Sequence, residues 1–167
     1  MIRKIAGALA AWLCCSTAHC VDGIAVEYGR GDDRTNLLRI SVVDKWRKGH
    51  PPPDAPEWRL AGYWDLSAAV WDNHDESTAD VGFAPVFRIE KHPYYVEGAL
   101  GLHLVQTRIS SNRTFSTSFQ FAEHVGAGMR NGKYTYGLQA QHLSNGGIAH
   151  PNPGINFLIL KLQYELD

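Results

Sequence analysis

The chain has 167 residues, which is the size of one domain and enough to bury a core or close a barrel. Its formal net charge is −1 at pH 7, so nothing points to nucleic acid or to an anionic surface as a partner. All three cysteines, Cys14, Cys15 and Cys20, lie within the first 20 residues. The rest of the chain must therefore be stable without disulfides.

Residues 1–20 have the order of a secretory signal peptide: a basic start, an apolar run and then small residues. The apolar run is too short to span a bilayer as a helix. We expect cleavage after Ala18 or after Cys20, and we assign residues 21–167 to the barrel domain. A lipoprotein anchor at Cys20 is the alternative, although the three residues before it fit that signal poorly.

After the leader, apolar residues recur with period two, which is typical of β-strands with one apolar face. Most of these segments have the roughly 9–11 residues that a tilted strand needs to cross a bilayer. In chain order the segments are 24–28, 38–46, 58–70, 81–89, 94–104, 115–125, 134–144 and 158–166.

Alternation alone does not decide whether the apolar face lies inside, as in a soluble lipocalin-like binder, or outside, as in a membrane barrel. The face opposite to it carries both signs of charge, which suits either a water-facing surface or a barrel interior filled with ion pairs. Its charged and histidine residues are Glu27, Arg39, Arg59, Asp65, Arg88, Glu97, His103, Lys161 and Glu165.

The leader, the strand lengths and the aromatic residues near turns favour the membrane. Interfacial aromatic residues of this kind form a girdle around transmembrane barrels. The candidates are Trp46, Trp58, Tyr94, Tyr95, Tyr134 and Tyr136. We therefore predict an all-β fold, an eight-stranded antiparallel transmembrane β-barrel in the bacterial outer membrane.

Turn lengths predict the orientation of the barrel. Residues 91–93 and 130–133 form short connections, and such barrels keep their short turns on the periplasmic side. The seventh strand then runs outward and ends at His142-Leu143-Ser144, at the level of the outer leaflet.

His142 and Ser144 share the outward side of that strand because they are two residues apart. Polar side chains that face lipid are costly unless they have partners. An imidazole beside a hydroxyl is the base and nucleophile pair of serine acyl transfer. Taken alone, the triplet favours the simpler interpretation of two polar residues in the headgroup zone that are hydrogen-bonded to water or to a loop.

The segment 142–157, His-Leu-Ser-Asn-Gly-Gly-Ile-Ala-His-Pro-Asn-Pro-Gly-Ile-Asn-Phe, resembles the terminal hairpin of the PagL-type lipid A 3-O-deacylases. The likeness covers the His-x-Ser-Asn start, the Pro-Asn-x-Gly turn and their spacing; upstream it is one of length, strand count and leader. The resemblance implies an outer-membrane ester hydrolase that removes the primary 3-hydroxyacyl chain from the 3-position of lipid A. It also implies that lipid A is the substrate and that no cofactor is used.

By the same resemblance, Ser144 is the nucleophile and His142 the base. Asn145 matches the residue of the oxyanion hole, with Asn152 as the alternative. Asn156 stands where members with a demonstrated triad have a glutamate.

An asparagine at position 156 can accept the imidazole N–H, but it cannot stabilise the imidazolium by charge. We therefore expect weakened activity, which Asn156→Glu should raise. Glu123 is an alternative acid, because it falls on the outward parity of the preceding strand, although we expect it nearer the periplasm.

Three residues are expected to contact substrate: His150 at a lipid A phosphate, and Tyr136 and Leu158 along the acyl groove. We predict no metal site, since the acidic loop around His74 lacks ligand spacing. The alternatives to the deacylase are a phospholipase or acyltransferase acting on another lipid, and a barrel that has lost activity, which Asn156 would favour. The sequence leaves a homodimer open.

Overall fold

The computed structural model describes residues 21–46, 57–73, 77–106, 108–110 and 113–166. The predicted signal peptide and the loop residue His74 lie outside the described residues. A 3₁₀ turn, Asp32–Arg34, follows the first strand. The strands are β1 Gly23–Gly31, β2 Asn36–Lys45, β3 Arg59–Asp72, β4 Ser77–Lys91, β5 Tyr94–Val105, β6 Arg108–Ser110, β7 Arg113–Thr114, β8 Phe119–Asn131, β9 Tyr134–Ser144 and β10 Ile155–Glu165.

Eight of these strands close into a barrel in the order β1-β10-β9-β8-β5-β4-β3-β2, and each neighbouring pair is antiparallel. The short strands β6 and β7 pair with each other in the connection between β5 and β8. Closure is made by β1 and β10, from Gly31 opposite Phe157 to Gly23 opposite Glu165. The predicted eight-stranded antiparallel barrel is confirmed. In the part of the chain that the structure describes, no helix is long and apolar enough to span a bilayer.

The apolar face of the strands lies on the outside of the barrel. Every barrel strand carries outward apolar side chains that are between about 40% and 70% exposed, for example Ile24, Val26, Leu158, Leu160 and Leu162. A continuous apolar band of this extent belongs in lipid rather than in water. The lipocalin-like alternative, with the apolar face inside, is therefore wrong.

Aromatic side chains mark the end of the barrel that carries the short turns. Trp46 packs on the outside against Trp64 and Phe87, with ring centroids 5.2 and 4.9 Å away. Tyr95 was expected in this girdle but points inward and is only 4% exposed, with its ring 4.1 Å from the Arg88 guanidinium. Tyr94, which was also expected in the girdle, points outward, since successive side chains of a strand alternate between its faces.

The inward-facing charges pair with one another, as predicted. Arg88 donates from Nε and Nη2 to Oε2 of Glu97, at 2.9 and 2.7 Å, and both side chains are almost fully buried. The Lys161 ammonium lies 3.4 Å from Glu27 and 3.3 Å from Asp65. Paired charges of this kind fill the interior without leaving buried ions unneutralised.

An apolar cluster packs inside the barrel below the outer rim, which the sequence analysis did not predict. Trp71 contacts Phe157 and Phe115, with ring centroids 5.2 and 6.5 Å apart. Phe115 was expected on the outward face of a strand; it is 1% exposed inside the barrel, because β8 begins only at Phe119. We call this group the outer core; its members are Leu37, Ala69, Trp71, Val105, Phe115, Ala122, Leu143, Ile155, Phe157 and Ile159.

Glu97→Gln should destabilise the barrel by about 3 kcal/mol, because it leaves the Arg88 charge buried without its carboxylate. The free energy of unfolding can be measured from tryptophan fluorescence in urea with the barrel in lipid vesicles. The control is Glu123→Gln, which makes the same change at an exposed position and should alter stability by less than about 0.5 kcal/mol. A loss below about 1 kcal/mol for Glu97→Gln would show that this ion pair does not support the fold.

Candidate active site

The outer end of β9 carries the predicted nucleophile and base. His142 and Ser144 are half-buried on the lipid-facing side, while Leu143 between them points inward and is fully buried in the outer core. Because side chains alternate along the strand, the two polar side chains face outward and the Leu143 side chain between them packs in the core. The outward orientation predicted for His142 and Ser144 is confirmed.

The imidazole of His142 is held from the neighbouring strand. Its Nδ1 lies 2.8 Å from Oδ1 of Asn156, which is its register partner on β10. An amide oxygen only accepts hydrogen bonds, so this contact places a proton on Nδ1 and leaves Nε2 as the basic nitrogen. Asn156 thus occupies the position predicted for the side chain that orients the base.

The Asn156 amide is itself bound by Asp32. Its Nδ2 and its backbone N–H each donate to Oδ2 of Asp32, both at 3.0 Å. Sequence reasoning missed Asp32, which lies in the 3₁₀ turn about 120 residues earlier in the chain. A closed barrel pairs its first strand with its last, and this pairing is the one signal that could have placed the turn after β1 beside Asn156.

Glu123, the alternative acid, is the register partner of His142 on β8. It is exposed on the lipid-facing side at the level of the site, so the expectation that it lies nearer the periplasm is wrong. The Nδ1 atom of His142 is bonded to Asn156, on the side of the strand away from β8.

The loop after β9 is braced by Asn145, whose side chain is fully buried. Its Nδ2 donates to Ser116 Oγ at 2.9 Å and to the carbonyl of Ala149 at 2.8 Å, and its Oδ1 accepts the Gly147 N–H at 2.8 Å. Its backbone N–H donates to Oδ1 of Asn152 at 3.1 Å. The side-chain amide of Asn145, which was predicted for the oxyanion hole, therefore already donates and accepts hydrogen bonds that hold the loop.

Two other donors lie in the loop that follows Ser144. The Gly146 N–H points at the Ser144 hydroxyl, with 3.4 Å between N and Oγ. Gly146 has a φ of +64°, a conformation that favours glycine. The Asn152 amide is oriented by the bond that its oxygen accepts from Asn145, so its Nδ2 is the donor end.

The three predicted substrate contacts lie at different heights. His150 is exposed in the loop, and Leu158 is exposed on β10, two residues beyond Asn156. Tyr136 is exposed on β9 but lies roughly 20 Å along the strand from His142, near the opposite interface. Among the described residues, no group of three or more His, Cys, Asp or Glu side chains could hold a metal ion.

A closed barrel with an apolar belt and a polar cluster at its outer rim defines an outer-membrane protein with a lipid-facing site. The profile of the family described as "Lipid A 3-O-deacylase (PagL)" matches residues 38–165, and the chain belongs to this family. The chain is thus an ester hydrolase of the bacterial outer membrane.

Individual relatives agree with this assignment. Lipid A deacylase PagL of Pseudomonas aeruginosa is 32% identical over 58% of this chain and 60% of its own length. Lipid A deacylase PagL of Bordetella bronchiseptica is 25% identical over 98% of this chain and 96% of its own. In fold, the chain is similar to the crystal structure of the outer membrane enzyme PagL, with a TM-score of 0.74 and 24% identity over 86% of this chain and 99% of that one.

Gly154→Ala should lower ester hydrolysis at least about tenfold, because an added Cβ would lie 2.8 Å from Cε1 of His142. The matched control is Gly132→Ala. Gly132 has nearly the same positive φ, +59° against +57°, but nothing lies within 4 Å of the added carbon. Both variants place an alanine at nearly the same positive φ, so the comparison isolates the contacts of the added carbon, of which the His142 imidazole is the nearest. Equal activity of the two would mean that the imidazole position does not matter.

Proposed function

We propose that this chain hydrolyses the ester of the primary 3-hydroxyacyl chain at the 3-position of lipid A, with Ser144 as the nucleophile. The observation that carries the proposal is the placement of His142 and Ser144 at the outer rim of the lipid-facing surface, with Nδ1 of His142 bonded to Asn156. Family membership indicates lipid A as the substrate.

In the first half of the reaction, Oγ of Ser144 attacks the ester carbonyl carbon while Nε2 of His142 takes the hydroxyl proton. The tetrahedral intermediate collapses, and the imidazolium returns the proton to the departing sugar oxygen. In the second half, water loses a proton to His142 and attacks the carbonyl carbon of the acyl-serine. The new intermediate collapses by breaking the bond to Oγ of Ser144, which takes the proton back from His142. The products are a 3-hydroxy fatty acid and the free Ser144 hydroxyl.

The negative oxygen of each tetrahedral intermediate needs hydrogen-bond donors. The Gly146 N–H is one candidate, since it already points at the Ser144 hydroxyl. The Asn152 Nδ2 is the other, and the bond from Asn145 supports its orientation. Asn145, first predicted for this role, would act indirectly through that bond. One such donor contributes roughly 10²–10³-fold to the rate in hydrolases of this type.

Lipid A would reach the site by lateral diffusion within the outer leaflet. Below His142 on the outer surface lies Ala140, flanked by Leu158 of β10 and Val125 of β8 in register. A methyl group between two larger side chains leaves a shallow apolar depression that an acyl chain can occupy. All the proposed residues come from one barrel, so the mechanism needs no second copy of the chain.

The direct test is mass spectrometry of lipid A from cells that express the wild type or Ser144→Ala. We expect lipid A to lose one 3-hydroxyacyl chain with the wild type only. Glycerophospholipids from the same cells are analysed in parallel. Their deacylation, with lipid A unaltered, would assign the site to a phospholipase instead. Unaltered lipids in both strains, with the barrel in the outer membrane, would contradict the proposed function.

Ala140→Phe should lower lipid A deacylation at least about tenfold, because a phenyl ring would fill the depression below the site. The control is Ala68→Phe, which adds the same ring to an outward position of β3, four strands away around the eight-stranded barrel. Initial rates on lipid A in mixed micelles give the comparison. Equal rates for the two variants would contradict the proposed acyl path.

A further inference from the structure

The Asn156 amide has two ends, and only one of them suits catalysis. Its oxygen, facing His142, keeps the proton on Nδ1 and leaves Nε2 free to act as base. The opposite orientation would offer an NH₂ group to Nδ1, and Nε2 would then carry the proton. In that tautomer His142 cannot take the proton of Ser144.

Asp32 excludes the unproductive orientation. Its Oδ2 accepts from the backbone N–H and from Nδ2 of Asn156, both at 3.0 Å. A carboxylate has no hydrogen to give, so a flipped amide would bring two acceptor oxygens together. The backbone bond also fixes the carboxylate to β10, independently of the amide.

A tight turn holds Asp32 at the end of β10. Gly31, the residue before it, pairs with Phe157, the residue after Asn156. The turn is closed by the Gly31 N–H to Thr35 oxygen bond of 2.8 Å and the Thr35 N–H to Asp32 oxygen bond of 3.0 Å. The position of the carboxylate is thus set by the barrel itself.

These bonds form a continuous chain from carboxylate through amide to imidazole. When His142 becomes an imidazolium, the negative charge of Asp32 can stabilise it through the polarised amide. We infer that Asp32 is a positioning residue of this active site, which orients the Asn156 amide and supplies the charge that an asparagine lacks. The inference rests on the proposed roles of His142 and Ser144.

Asp32 also changes what is expected of Asn156→Glu. A glutamate there would place a second carboxylate beside Asp32, and two like charges at this distance repel. The gain in turnover expected of Asn156→Glu should therefore appear only when Asp32 is neutralised. Asp32 and residue 156 are then coupled, and the sign of the coupling can be measured.

The test is a double-mutant cycle on the purified full-length barrel: wild type, Asp32→Asn, Asn156→Glu and the double variant. Both kcat and KM are measured on lipid A and on a p-nitrophenyl ester of a medium-chain fatty acid. We expect Asp32→Asn alone to lower kcat about tenfold with KM within about twofold, because binding of the acyl chain does not involve Asp32. In the Asn156→Glu background, the same change should raise kcat.

The control is Asp33→Asn, which removes the same charge one residue further along the turn and should leave kcat within about twofold. Heat-modifiable gel migration checks that each variant is folded, and Asp32→Ser replaces Asp32→Asn if the latter does not fold. Equal losses of kcat in both backgrounds, no loss in the wild-type background, or equal losses for Asp33→Asn and Asp32→Asn would each overturn the inference.

The two substrates separate this inference from the proposed function. If the p-nitrophenyl ester follows the expected pattern and lipid A is never cleaved, the role of Asp32 stands and the proposed substrate fails. If lipid A is deacylated normally by Asp32→Asn, the proposed function stands and the role of Asp32 fails.

Discussion

The structure depends on the pairing of β1 with β10. Inside a bilayer, an open strand edge would leave backbone N–H and C=O groups without partners, so the first strand has to meet the last. That closure, with Gly31 opposite Phe157, also brings the turn containing Asp32 against Asn156. The requirement that makes the chain a membrane barrel thus assembles its polar site from opposite ends of the sequence.

The apolar cluster inside the barrel supports the site from within. Ion pairs such as Arg88 with Glu97 lie nearer the short turns, and the outer core packs below the outer rim beside the buried His103–Asp80 pair. Leu143 and Ile155 belong to this outer core and alternate along their strands with the polar side chains outside. The hairpin is therefore anchored from within, which suits chemistry that tolerates little displacement of a base.

Features that depend on local alternation could be predicted from the sequence, and features that depend on register could not. The period-two pattern of apolar residues was enough to predict the eight strands and the outward placement of His142 and Ser144. Predicting the role of Asp32 would have needed the register between β1 and β10. Predicting the height of Glu123 in the barrel would have needed the register between β8 and β9. Phe115 was assigned to a strand because it continues the period-two pattern of apolar residues in β8. In the structure it lies before β8 and packs inside the barrel against Trp71.

The central claim is that Ser144 is a nucleophile activated by His142 on the lipid-facing surface. The most direct measurement is peptide mass spectrometry of the membrane-embedded barrel after reaction with a lipid-soluble fluorophosphonate, which modifies only activated serines. The account predicts one adduct, on Ser144 in the wild type, and none in His142→Ala. An adduct on another serine, or an unmodified Ser144 in a barrel that deacylates lipid A, would contradict it.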